Sequence, residues 1–211
     1  MSYITSIGKS VLRAGGVAAG IAAIGCLNAG APAPASRPSD ELHYIRPAAT
    51  ATTLPDTAVG FWAKRGEDRE LRLYYNPRPG SSSGEEFLRF SVPAASLAQR
   101  PDGSAIAVGD SILITVRVVD PSRLVIAFEP AGLKFSAGSP ARLRFDLAET
   151  DSDLNGDGIV DGQDDSLKTQ LSFWRQEVPG QPWFRVQSSV FVDLDEAEAN
   201  VFGFTGYALA Y

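Results

Sequence analysis

The chain has 211 residues, of which 44% are hydrophobic and 21% charged, with a net charge of −6. That balance supports a globular core and excludes a disordered or collagen-like chain, and the acidic surplus argues against nucleic acid as a partner. One cysteine excludes an internal disulfide, and one histidine, His43, excludes a histidine-rich metal site.

Residues 1–25 contain Lys9 and Arg13, no acidic residue, and the small apolar run AGGVAAGIAAIG. A basic start followed by a short apolar stretch predicts a secretory signal peptide. The run is too short and too rich in glycine for a stable membrane span. Cys26 follows Ala23-Ile24-Gly25, which resembles the lipobox of bacterial lipoproteins and implies lipidation of Cys26. The competing reading is a plain signal peptide cut after Ala29-Gly30-Ala31. The lipobox reading places the protein outside the cytoplasm, in a bacterial cell envelope, lipid-anchored to the outer membrane or cell surface.

Residues 26–57 are dominated by alanine, proline, serine and threonine and show no hydrophobic periodicity, so a flexible linker is predicted. His43 and Tyr44 fall within it, and His43 is expected to be solvated. From Ala58 the chain changes character. Short segments rich in valine, isoleucine and aromatics alternate with turn residues. AVGFWAK (58–64), RELRLYYN (69–76) and EFLRFSV (86–92) are strand candidates. In SILITVRVV (111–119), Ile112, Ile114, Val116 and Val118 share one face. RLVIAFE, RLRFDLAE, QLSFWRQE, PWFRVQSSVFVDL and VFGFTGYALAY complete the series. No sustained helical period appears, apart from a single turn at SLKTQ (166–170). The predicted class is all-β: an antiparallel β-sandwich over residues 58–211, with an insertion near 150–168.

That insertion carries the strongest chemical signal. In DLNGDGIVDGQD, read as a twelve-residue loop, Asp153, Asn155 and Asp157 occupy positions 1, 3 and 5. Gly158 falls at 6, Ile159 at 7, Asp161 at 9 and Asp164 at 12. Hard cations take oxygen ligands, and alternate positions of a tight loop can point at one centre, with glycine at 6 for the sharp bend. The expected ligand set for calcium is therefore Asp153, Asn155, Asp157, the Ile159 carbonyl, Asp161 and Asp164. Aspartate at position 12 is shorter than the usual glutamate. From Glu149 to Asp165 there are seven acidic residues and no basic one, and a divalent ion would relieve their repulsion. The loop resembles one half of a dockerin; a second loop and the accompanying helices are not expected here.

Two further stretches carry a family resemblance. In FEPAGLKFSAGSPARLRF the marked residues are Phe128, Pro130, Gly132, Leu133, Phe135, Pro140 and Leu143. In GFTGYALAY they are Phe204, Thr205, Tyr207 and Ala208. Together they resemble the β-sandwich domain shared by ankyrins, zona-occludens proteins and uncoordinated-type netrin receptors. The resemblance implies a sandwich used for protein interaction. Some members of that family cut themselves at His-Phe-Ser; the matching residues here are Gly203, Phe204 and Thr205, and without the histidine self-cleavage is not implied.

Enzyme chemistry is not expected, because no histidine base beyond His43 and no phosphate-cradling glycine loop is present. The acidic run Asp193, Asp195, Glu196, Glu198 reads as a solvated connection. The expected function is adhesion, scaffolding or protein interaction by a calcium-stabilised sandwich, with an envelope or extracellular protein as partner. The alternative is a carbohydrate-binding module for a polysaccharide of the cell surface, using Trp62, Trp174, Trp183, Tyr74 and Tyr75.

Overall fold

A computed structural model describes residues 35–211. The predicted signal peptide (1–25), the lipidation site Cys26 and the start of the predicted linker lie outside the described residues. Among those described, the strands are β1 (Ser36–Arg37), β2 (Ala58–Lys64), β3 (Arg69–Tyr74), β4 (Glu86–Val92) and β5 (Leu97–Gln99). They continue with β6 (Ser111–Asp120), β7 (Val125–Glu129), β8 (Lys134–Phe135), β9 (Ala141–Asp146) and β10 (Ser172–Gln176). The last four are β11 (Trp183–Arg185), β12 (Ser188–Phe191), β13 (Glu196–Val201) and β14 (Gly206–Ala210). One α-helix, α1 (Gly162–Lys168), lies between β9 and β10.

The strands form two main antiparallel sheets. One has seven strands in the order β1-β11-β10-β14-β7-β6-β2, the other five in the order β12-β13-β9-β4-β3, and β5 pairs with β8 beside them. The expected all-β sandwich is what forms. Alternation explains which side chains face inward. Along β6, Ile112, Ile114, Val116 and Val118 are buried, whereas Leu113, Arg117 and Val119 are exposed. Along β9, Ala141, Leu143 and Phe145 are buried and Arg142 is exposed. An aromatic cluster knits the layers. Phe90 of the five-stranded sheet lies 4.7 Å from Phe128 of the seven-stranded one, 6.2 Å from Phe135 of β8 and 5.8 Å from Phe204. The residues behind the family resemblance thus include the centre of this core, where Phe128 and Phe204 stack 4.9 Å apart.

The predicted linker is corrected by the structure over residues 35–57. That segment forms part of the compact unit that runs to Tyr211. β1 pairs with β11, and Leu42 and Ile45 are buried. The N–H groups of His43 and Ile45 donate to the carbonyls of Tyr211 (3.3 Å) and Leu209 (3.1 Å), and the Tyr211 N–H returns a bond to His43 (3.2 Å). β14 is therefore shared. Its start at Gly206 and Tyr207 pairs with β7, and its end is bonded to residues 43–45. The physical reason lies on the outer face of the seven-stranded sheet. Phe173 points into the main core, so Trp174 points out, and it would stand in water together with Trp183. Instead residues 35–45 form a strap over both rings, with Leu42 packed between them and Ala208 and Ala210. The indole N–H of Trp183 donates to Ser39 Oγ at 2.9 Å, that of Trp174 donates to the Ala210 carbonyl at 3.1 Å, and Arg37 lies over the Trp174 ring.

Candidate metal centre

The twelve-residue loop joins β9 of the five-stranded sheet to β10 of the seven-stranded one. Its backbone is shaped by side chains bonding to nearby N–H groups, as aspartate and asparagine do in turns. Asp153 accepts from Gly156 (2.7 Å), Asp157 (3.1 Å) and Gly158 (2.8 Å). Asn155 Oδ1 accepts from Asp157, and Asp157 Oδ1 accepts from Ile159. Gly156 and Gly158 have φ of +75° and +86°, the left-handed region that a side chain would oppose. The glycine expected at position 6 thus stands where the bend requires it.

The loop runs directly into α1. Asp161 is the N-cap; its carboxylate accepts from the Gln163 N–H at 2.7 Å, and Asp164 accepts from the Asp161 N–H at 2.9 Å, a reciprocal capping box. The helix begins at Gly162 rather than with the single turn at 166–170 that the sequence led us to expect. Asp164 is buried at 3% exposure, and its other oxygen accepts from Leu154 (2.8 Å) and Asn155 (3.2 Å). The bond from Asp161 holds its carboxyl below the ordinary range against desolvation, with Asn155 and Leu154 adding to that effect.

The predicted ligands therefore share one short loop, with oxygen donors of the type calcium prefers. Their carboxylates are turned toward backbone amides. Among the described residues, no three histidine, cysteine, aspartate or glutamate side chains are gathered closely enough to hold a metal ion. Asp153 Oδ1 and Asp164 Oδ1 each accept two N–H bonds, whereas Asp153 Oδ2 and Asp164 Oδ2 each accept one and keep a lone pair. The donor types are those calcium takes, and convergence of the oxygens on one centre requires side-chain rotation.

No protein-family model, curated protein or solved structure matches the chain. The resemblance to the ankyrin-type sandwich family rests on its two sequence stretches alone.

Contacts around the loop went unnoticed in the sequence. The Tyr211 hydroxyl donates to the Leu154 carbonyl at 2.6 Å, and the Asp151 N–H donates to the Arg46 carbonyl at 2.8 Å. The Ala48 N–H donates to the Glu149 carbonyl at 2.9 Å, and Pro47 and Thr150 form an isolated bridge. One loop thus holds both the strap and the last residue of the chain. Only a hydroxyl at position 211 hinted at this, and nothing local gave its partner away. The second acidic run is dispersed: Asp195 pairs with Lys168, Glu196 with Arg144, and Asp195 sits at a left-handed turn.

The aromatics considered for sugar stacking are also dispersed. Trp174 and Trp183 are buried under the strap, and Tyr75 is buried in the core. Trp62 is exposed at 63%, beside Leu113 on the neighbouring strand, and Tyr74 lies on β3 in the other sheet. They do not form one platform.

Proposed function

We propose that the protein is a non-catalytic module of a bacterial cell envelope, carried on a lipid anchor at Cys26. Its sandwich serves adhesion, scaffolding or interaction with an envelope or extracellular protein, and the Asp153–Asp164 loop takes calcium as a structural clip. The observation that supports the calcium reading is the loop itself. Its five oxygen-bearing side chains sit at ligand spacing, its two bends are made by left-handed glycines, and a capped helix closes it. The loop also ties two sheets, the strap and Tyr211 together. Neutralising its carboxylates would reinforce a junction that joins distant parts of the chain, which suits a structural role better than a sensor role.

Thermal unfolding with calcium and with a chelator tests this. A ligand present at a hundredfold over its Kd adds about 2.7 kcal/mol to the folded state. In a domain of this size each kcal/mol corresponds to about 2–4 °C, so the expected rise in Tm is roughly 5–10 °C. Asp153→Ala combined with Asp157→Ala abolishes the rise. An unchanged melting curve, together with no heat of calcium binding by calorimetry, would sink the calcium reading. Mass spectrometry of the N-terminus of the processed protein tests lipidation at Cys26.

A further inference from the structure

Between the strap, the turn that follows β6 and the calcium-type loop lies an open groove of about 580 Å³. That volume lies within the range of small-molecule clefts. Ser39, His43 and Tyr44 line it from the strap, Arg46 from the residue that follows it, Arg123 from the turn and Asn155 from the loop. We propose that this groove binds a sugar unit carrying a carboxylate, such as a uronate within an acidic glycan.

The charge pattern is the first support. The protein is acidic overall, yet the groove gathers two guanidinium groups. Arg46 has no carboxylate within ion-pair distance among the described residues. Arg123 has one, Asp120, at 3.7 Å, near the limit for such a pair. Elsewhere most arginines hold a close acid, as Arg144 does with Glu196 at 2.7 Å and Arg89 with Glu86 at 2.9 Å. Arginine presents a planar fork of donors that matches the two oxygens of a carboxylate. A partly free pair of such forks in an open cleft is suited to an incoming carboxylate.

The second support is the character of the remaining wall. The exposed His43 ring stacks on Tyr211 at 5.1 Å with only 11° between the planes. The backbone bonds between residues 43 and 211, and the bond from the Tyr211 hydroxyl to the loop, fix this pair of rings. Tyr44 is held edge-on against Trp183 at 6.0 Å and lies under Arg123 at 5.5 Å. The groove therefore offers the exposed His43 ring, backed by Tyr211, as an amphipathic surface that a sugar ring can contact without ordering the protein further. Ser39 adds a hydroxyl able to exchange hydrogen bonds with sugar hydroxyls. Asp40, also in the wall, accepts hydroxyl donors and discourages a bare dianion. This proposal does not depend on the protein-interaction reading.

Calorimetric titration of the protein at constant calcium tests it. The probes are uronate disaccharides of the glucose, galactose and mannose series, each paired with its neutral parent sugar, and inorganic phosphate. At least one uronate is expected to bind, with its neutral parent weaker by about tenfold or more, the loss expected on deleting a charged hydrogen bond. Arg46→Ala and Arg123→Ala each weaken binding of that uronate by a similar factor. Lys134→Ala, an exposed cation on β8, leaves it unchanged. Melting curves confirm that these surface variants remain folded. The proposal is overturned if no uronate binds, if neutral sugars bind equally well, or if neither arginine variant weakens binding. Phosphate binding as tightly as the uronates would also overturn it, by reducing the groove to a general anion site.

Discussion

Gly84 shows how a single atom can decide a local structure. A Cβ built there would lie 1.7 Å from the Tyr75 carbonyl oxygen and 2.6 Å from its carbonyl carbon. The chain passes so closely because the Tyr75 N–H donates to the Glu85 carbonyl at 2.9 Å. Gly84→Ala must push two backbones apart, and we expect a loss of about 1–3 kcal/mol by urea unfolding, as for other overpacked sites. Asp146 makes the opposite case. Burial raises its pKa, and Glu196 and Glu86 raise it further, outweighing the Ala148 N–H and Arg144. The folded state thus resists its ionisation, which costs stability above the ordinary aspartate range. Asp146→Asn keeps an oxygen for the Ala148 N–H, 3.0 Å away, and removes the charge. Its Tm is expected to rise at neutral pH by about a degree or two, allowing for solvent screening. That gain should fade as pH falls from the raised folded-state value into the ordinary aspartate range, below which the wild-type carboxyl is neutral in both states.

The strap and α1 show what the sequence concealed about individual elements. The β-strands could be read because alternation is local: Ile112, Ile114, Val116 and Val118 announce their own face. The loop ligands could be read for the same reason, since their spacing lies within twelve residues. In the strap only Leu42 and Ile45 are fully buried, too few to make a period, and the surface they cover comes from Trp174 and Trp183, far along the chain. Alanine- and proline-rich composition argued for a linker, and long-range burial overrode it. The sequence hides the start of the helix because Gly162, Asp164 and Asp165 are poor helix formers; that start is fixed by the reciprocal bonds of Asp161 and Asp164, not by an apolar stripe. Whether the carboxylates converge is a matter of rotamers, which spacing does not encode. A fragment starting at Ala58 leaves the outer tryptophans uncovered. Compared with a fragment from residue 35, we expect its Tm to fall by roughly 10 °C or more, since deleting one buried Leu or Ile side chain typically costs about 2–5 kcal/mol. Trp fluorescence shifted to longer wavelength would report the exposed rings, and equal melting of the two fragments would refute a stabilising role for the strap.

At the scale of the whole molecule, acid should unfold the protein through paired carboxylates. Burial opposes ionisation of Glu86, but hydrogen bonds and charge from Arg89 and Arg144 overcome it and hold the carboxyl below its ordinary range. For Asp164 the bond from the Asp161 N–H is the main cause of a shift in the same direction. A depressed folded pKa gives stability that is fully present above the unfolded value and is lost as pH falls through the folded one. The Tm is therefore expected to hold across neutral pH and to drop steeply below about pH 4, the ordinary carboxylate range. Glu86→Gln should lower stability at pH 7 and flatten this acid limb, measured as Tm against pH. If the variant keeps the wild-type slope, Glu86 is not among the groups responsible.

The division of β14 between β7 and the strap has a mechanical consequence. Residues 43–45 and 209–211 lie side by side, so a pull applied between these two segments follows a short path through the bonds joining His43 and Ile45 to Tyr211 and Leu209. The aromatic centre of the sandwich stands outside that path. Tension delivered along the N-terminal extension would meet the two-residue β1 first and then the Leu42 anchor, and would peel the strap before it loaded the sheets. By this geometry the strap carries such a load on β1 and the Leu42 contacts ahead of the two sheets.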